Sequence, residues 1–232
     1  MRLRSTRIPE DAVHHPVFAR FYARMSVVAE TRAGLAAVRS DLLAGLSGRV
    51  IEIGAGNGLN FAHYPPAVSE VVAIEPERSL RRLAVRSALR AGLPVDVVPG
   101  AAEALPVKSE AFDGAVASLV LCSVRNVERS LAEIVRVLRP GGELRFFEHV
   151  RADDRAMAAT QRVLDRTVWP LLTGGCHTGR DTLAAIERAG FVVETYRRVR
   201  MPECGIRLPV STCVLGVARR PEVPHRRSWC RA

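Results

Sequence analysis

Apolar residues near the N-terminus recur at helical spacing: Val17, Phe18, Phe21, Met25 and Val28, then Leu35, Val38, Leu42 and Leu43. That spacing predicts helix within residues 10–46. The pattern changes at residue 49. Short, nearly continuous apolar runs at 49–53, 70–74, 95–98, 112–117 and 143–148 have the length and β-branched content of buried strands. Between them the spacing predicts helices at 58–63, 77–91, 101–104 and 126–138. The last of these stops ahead of Pro140-Gly141-Gly142, since proline cannot continue a helix and glycine supplies the turn. Helices near 153–168 and 178–189 follow, then strands at 191–199 and 211–218.

Repeated strand–helix units predict an α/β fold of seven strands, a mostly parallel sheet with helices on both faces. The chain divides into a helical cap (1–46), one main domain (47–219) and a basic tail (220–232). Pro221, Pro224 and their polar neighbours predict disorder in that tail.

The chemistry begins where the first strand ends. Val50-Ile51-Glu52-Ile53 runs into Gly54-Ala55-Gly56-Asn57-Gly58, a tight glycine turn. Twenty-one residues after Gly54, the run Val71-Val72-Ala73-Ile74 ends on an acid, Glu75. A glycine turn with an acid at the tip of the next strand describes a pocket for a nucleoside, the acid accepting from ribose hydroxyls. A dinucleotide fingerprint needs a third glycine where Leu59 stands, which disfavours a dehydrogenase. The spacing G-x-G-x-G instead resembles motif I of class I S-adenosylmethionine-dependent methyltransferases. That resemblance implies a Rossmann-like fold closed by an antiparallel C-terminal hairpin strand, and S-adenosyl-L-methionine as cofactor. The residues expected to line the cofactor are Glu52, Gly54, Ala55, Gly56, Asn60, Glu75, Pro76, Ala102, Glu103, Ser118 and Leu119. Gly100-Ala101-Ala102-Glu103-Ala104-Leu105-Pro106 resembles the adenine-side segment, with Ala101 in place of its usual acid. The adenine amino group must then find its acceptor elsewhere, and Glu103 is alternatively a cap of its short helix.

A narrower resemblance rests on Leu119 to Asn126, Val137 to Gly142, Phe147-Glu148-His149-Val150, Gln161 to Asp165 and Gly175-Cys176, with Asn60-Phe61 and Tyr64-Pro65-Pro66. These segments, spread over roughly residues 17–218, look like the thiol S-methyltransferases of animals, small membrane-associated enzymes that methylate alkyl thiols and hydrogen sulfide. The resemblance implies a small-molecule methyl acceptor, with thiols first and lipid amines or quinones as the alternative. The animal enzymes carry an N-terminal hydrophobic anchor, which these residues lack. Acceptor-side candidates are Tyr22, Cys122, Glu148, His149, Cys176 and His177. His149 is the candidate proton acceptor, because imidazole titrates near neutrality; a purely shaping role for Glu148 and His149 stays open. A lone cysteine in an apolar run, such as Cys122, more often packs than reacts. His14, His15, Phe18, Phe21 and Tyr22 form either a lid or ordinary helix packing.

A formal charge of +10 raises nucleic acid or an anionic membrane as a partner. The bases are arginines scattered along helices, Lys108 being the one lysine, so no specific nucleic acid is expected. A methyltransferase fold retired to a binding module stays as the rival, and intact glycines with Glu75 count against it. No apolar stretch reaches membrane-spanning length, which leaves only peripheral membrane contact open. The basic start Met1 to Arg7 is not followed by the apolar region of a secretory signal. Five cysteines (122, 176, 204, 213 and 230) without C-x-x-C spacing predict reduced thiols in a cytoplasm. Cys176-His177 offers too few ligands for zinc, so no metal is expected.

Overall fold

The computed structural model describes residues 16–32, 34–202 and 207–222. Its strands are β1 (Gly48–Ile53), β2 (Val68–Ile74), β3 (Val95–Val98), β4 (Phe112–Ser118), β5 (Leu138–His149), β6 (Val192–Arg200) and β7 (Thr212–Arg219). They form one sheet in the order β3-β2-β1-β4-β5-β7-β6. Strands β1 to β5 pair in parallel, while β7 runs antiparallel between β5 and β6. The seven-stranded, mostly parallel sheet expected from the sequence is therefore the one observed.

The helices are α1 (Pro16–Arg32), α2 (Leu35–Leu43), α3 (Arg78–Ala88), α4 (Val127–Val137), α5 (Arg155–Asp165), α6 (Trp169–Leu172) and α7 (Thr182–Arg188), with a 3-10 turn at Leu59–His63. Alternation along each strand sends side chains to two separate cores. Ile51, Ile53, Val72 and Ile74 pack with Leu131, Ile134 and Val137 of α4 and Ile186 of α7. Val50, Val71 and Ala73 pack on the other face with Leu42 and Leu43 of α2, Ala84 of α3 and Phe61. Helix starts carry side-chain caps where the sequence supplies them. Glu77 accepts from Leu80 N–H, Asn126 from Arg129 N–H and Asp154 from Met157 N–H.

Several expectations need correction. The N-terminal helix is two helices, broken at Gly34. In the first, Phe21, Met25 and Val28 are exposed, and Ala19 and Ser26 are buried instead; in the second, Val38, Leu42 and Leu43 face the core as expected, while the side chains of Val17 and Phe18 lie outside the described ones. No helix forms at 101–104, because Ala101 and Ala104 close an isolated antiparallel bridge around a turn. The helix expected at 178–189 begins only at Thr182, since Asp165 holds Thr178 and Gly179 in the preceding loop. Arg220, assigned to the tail, belongs to the sheet margin: it donates to Gly142 O at 2.8 Å and pairs with Glu110. The rest of the tail from 223, with His14, His15, Cys204 and Cys230, lies outside the described residues.

Candidate active site

Strand order reverses between β1 and β4, so the chain leaves their carboxyl ends in opposite directions and opens a crevice there. Gly54 to Gly58 fills the β1 side of that crevice. Ala55 N–H donates to Ile74 O at 3.0 Å, which ties the turn to the tip of β2. Glu75, next along β2, is buried; it accepts from Gly56 N–H at 2.7 Å and from Glu77 N–H at 2.8 Å. Burial pushes its carboxyl up to about 7, against the pull of those two N–H groups.

Tyr22 of α1 lies over this turn. A Cβ added at Gly56, which has φ 58°, would stand 3.2 Å from Cε1 of the Tyr22 ring. The other glycines of the turn are packed as closely: at Gly54 an added Cβ would meet Val120, and at Gly58 Phe61. Burial raises the Tyr22 phenol; Arg39 opposes this, while Glu75, Cys122 and Glu52 add to it.

Glu52 and Asn60 stand in a supporting network. Glu52 accepts from Asn60 Nδ2 at 2.9 Å and from Tyr64 OH at 2.7 Å, and burial raises it to about 7. Asn60 Oδ1 in turn accepts from Arg39 at 2.6 Å, and Arg39 is paired with Glu30 of α1 at 2.8 Å. These side chains brace the cap against the turn. Asn57 adds a further brace by donating to Ser26 Oγ at 3.0 Å.

On the other side of the crevice Glu148 is fully buried at the end of β5. Its carboxylate accepts three backbone N–H groups from the loop after β4: Val120 at 3.0 Å, Leu121 at 2.8 Å and Cys122 at 3.0 Å. Burial pushes this carboxyl well above its ordinary value, Cys122 adds to that, and the three N–H groups oppose it. The same loop begins with Leu119 at φ 59°, a left-handed conformation that a leucine adopts only when its surroundings enforce it.

Glu148 thereby sets Cys122 beside His149. Cys122 Sγ is 3.6 Å from His149 Nδ1, Cys176 Sγ is 3.4 Å from the same nitrogen, and the two sulfurs are 3.9 Å apart. Both cysteines are buried and His149 is half-buried. The hydrogen bond it shares with Cys176, together with burial, pushes the Cys122 thiol up to about 12. The same hydrogen bond lowers Cys176, making it the first of the pair to ionise. Burial pulls His149 down, but its hydrogen bond and charge interaction with Cys122 outweigh that and leave it raised.

Cys176 reaches this position through a braced loop. Gly175, at φ 92°, lies so close to the loop after β4 that a Cβ would fall 2.7 Å from Ser123 O. Arg180 donates to Leu121 O at 2.6 Å and to Val124 O at 2.8 Å. Asp165 accepts from Thr178 N–H and Gly179 N–H. Gln161, fully buried, donates to Val150, Thr178 and Pro209 carbonyls and accepts from Ala152 N–H. His177 turns away: its Nδ1 stands 2.8 Å from Gly175 O and 3.0 Å from the Arg180 guanidinium, while its backbone N–H donates to Cys122 O.

A family described as methyltransferase domain matches residues 51–146. The human thiol S-methyltransferase TMT1A is 38% identical over 165 residues, covering 68% of this chain and 67% of that one. Human TMT1B is 33% identical over 182 residues, covering 76% and 73%. The chain belongs to the thiol S-methyltransferase family. Matches to four relatives with that name span 59–73% of their length. An S-adenosylmethionine-dependent methyltransferase from Mesorhizobium loti has the same fold, with TM-score 0.61, 22% identity, and coverage of 82% of this chain and 99% of that one.

The remaining residues expected to line the cofactor make protein contacts of their own. The Ala102 side chain packs into the core beside α4, and Glu103 accepts from Arg125 and Asn126 N–H groups at the entry to α4. Pro76 is half-buried, its carbonyl accepting from Arg81. Ser118 ends β4 opposite Phe147. Arg180 and Trp169 were not legible in advance. An arginine that clasps backbone carbonyls has no spacing signature, and the Trp169 indole meets Cys176 only through the fold.

Proposed function

We propose that this methyltransferase transfers a methyl group from S-adenosylmethionine to a small thiol. What carries the reading is one adjacency: an acid-tipped glycine turn and a buried thiol–imidazole cluster share the same edge of the sheet, on either side of the strand-order reversal. Bound S-adenosylmethionine supplies a methyl group already activated on a sulfonium. The cradle fits a nucleoside, because Glu75 spends one lone pair of each oxygen on protein and keeps others for ribose hydroxyls. The backbone of Gly54, Ala55 and Gly56 receives the amino-acid end. Pro76 and the backbone at Ala102 and Glu103 border the base, and Ser118 and Leu119 lie between cofactor and acceptor.

On this arrangement the protein mainly aligns the reacting groups and excludes water. Tyr22 covers the turn and shields it. The acceptor lies against His149, Cys122 and Cys176. A free thiol has a pKa of about 8.5, so a group that removes its proton raises the reactive fraction. His149 is that group in the cluster. Three described cysteines are free, which fits a reducing compartment such as the cytoplasm. Among the described residues no helix is long and apolar enough to cross a membrane.

Glu75 gives this reading a pH signature. Only its ionised form accepts ribose hydroxyls on both oxygens, so cofactor affinity is expected to increase as pH rises through about 7. Stability of the cofactor-free chain moves the other way. A carboxyl raised from 4.5 to about 7 stabilises the folded state most at acid pH, and that contribution fades as pH climbs to 7, for Glu52 as for Glu75. Calorimetric titration across this range checks the first trend, and Glu75→Gln should flatten it.

The reading itself is tested by S-adenosylhomocysteine release with a panel of alkyl thiols, hydrosulfide, a lipid amine and a quinol. Turnover with thiols and hydrosulfide is expected. Turnover with the amine or quinol alone would overturn the acceptor assignment and leave the cofactor site standing.

A further inference from the structure

Cys122, His149 and Cys176 come from three separate parts of the chain, yet their donor atoms cluster within 4.8 Å of one another. A tetrahedral metal with bonds of about 2.3 Å to sulfur and about 2.0 Å to nitrogen sets two sulfurs about 3.8 Å apart, and sulfur and nitrogen about 3.5 Å apart. The cluster has 3.9 Å between sulfurs, and 3.6 and 3.4 Å from sulfur to Nδ1. Its three edges therefore already match one face of a tetrahedral coordination shell.

We propose that Cys122, His149 and Cys176 bind a divalent zinc-like cation through two thiolates and one imidazole, leaving the fourth position for the sulfur of the methyl acceptor. This rests on the thiol-acceptor reading above and assigns His149 a ligand's role in place of a base's. Two soft thiolates with one imidazole select zinc over hard cations, and three protein ligands with an open position are the pattern of catalytic zinc. The surroundings are those of a supported site. Glu148 orients the Cys122 loop, Gly175 and Arg180 hold the Cys176 loop against it, and the Trp169 indole nitrogen is buried near Cys176 with no hydrogen-bond partner. An indole N–H of that kind has an acceptor once Cys176 is a metal-bound thiolate.

The chemistry balances. An acceptor R–SH displaces the metal's water, its sulfur binds the cation, and its proton leaves to solvent. That thiolate forms the new S–CH3 bond as the sulfonium C–S bond breaks, with the bonding pair retained by the departing thioether. Negative thiolate and positive sulfonium become two neutral thioethers. The methylated product is a weak ligand and gives way to water.

The test is spectroscopic and uses the full chain, reduced with a phosphine and titrated with Co2+. One equivalent should bind, giving intense visible bands of four-coordinate cobalt and near-ultraviolet thiolate-to-cobalt charge transfer. An added alkanethiol should strengthen the charge-transfer band, and Zn2+ should abolish both. Cys176→Ser and Cys122→Ser should each weaken binding by about 100-fold or more, while Cys213→Ala, outside the cluster, keeps the spectrum. Circular dichroism on each variant separates lost ligands from lost fold, and Cys176→Ala serves where a serine variant does not fold. Weak octahedral bands only, or equal loss in Cys213→Ala, would overturn the site. A cobalt spectrum indifferent to thiol would overturn the acceptor position. Thiol methylation with no tetrahedral cobalt sinks the metal and leaves the thiol reading intact. A thiol-responsive cobalt site with no thiol turnover sinks that reading instead.

Discussion

Glu148→Ala is expected to destabilise the fold more than any other single change in the crevice. The carboxylate is fully buried and accepts from the Val120, Leu121 and Cys122 N–H groups. Each buried donor left without a partner costs about 1–3 kcal/mol. Relief of the buried acid's own desolvation offsets part of the sum, so a net loss of about 3–5 kcal/mol is expected. Urea or thermal unfolding measures it. Glu148→Gln gives a sharper comparison: one oxygen still serves two donors, but the amide NH2 faces a third N–H, so its loss should fall between wild type and alanine. If alanine and glutamine variants unfold like wild type, Glu148 does not hold this loop. Since the loop also carries Cys122, both variants should lose acceptor turnover before they lose cofactor binding.

The second large effect falls on cofactor affinity. Glu75→Ala removes an acid that organises the glycine turn through Gly56 N–H and the next helix entry through Glu77 N–H. It also removes the acceptor assigned to ribose. Hydrogen bonds to a charged group contribute about 1.5–3 kcal/mol each, so affinity for S-adenosylmethionine should fall by about 100-fold or more. Titration calorimetry reads this directly, and a thermal melt without cofactor shows how much is loss of the turn alone. Unchanged affinity in a folded variant would remove Glu75 from the site.

The two sides of the crevice were unequally legible. The cofactor side is local: strand, glycine turn, strand and acid lie within residues 50–75, and short parallel strands read clearly because they are apolar on both faces. Elements whose form depends on partners read poorly. Residues 101–104 have the composition of a helix, yet they close a bridge and hand Glu103 to the start of α4. The apolar spacing of α1 is helical, but the helix turns Phe21, Met25 and Val28 outward, because Tyr22, Ser26 and Glu30 make the contacts to Gly56, Asn57 and Arg39. Periodicity reports that a helix has a face and not which polar residues on it find partners.

The acceptor side shows the same division. Cys122 alone reads as core, Cys176-His177 alone as an incomplete ligand pair, and His149 alone as a base. Parallel pairing of β4 with β5 brings Cys122 to His149, and a loop braced by Asp165, Gly175 and Arg180 adds Cys176 while turning His177 away. The sequence by itself determined the α/β architecture, the glycine turn and the acid at the tip of β2, because these follow from patterns within a few dozen residues. Which sulfur and nitrogen atoms meet, and what supports them, was decided by tertiary structure, because contacts between residues 27 and 54 positions apart leave no spacing in the chain.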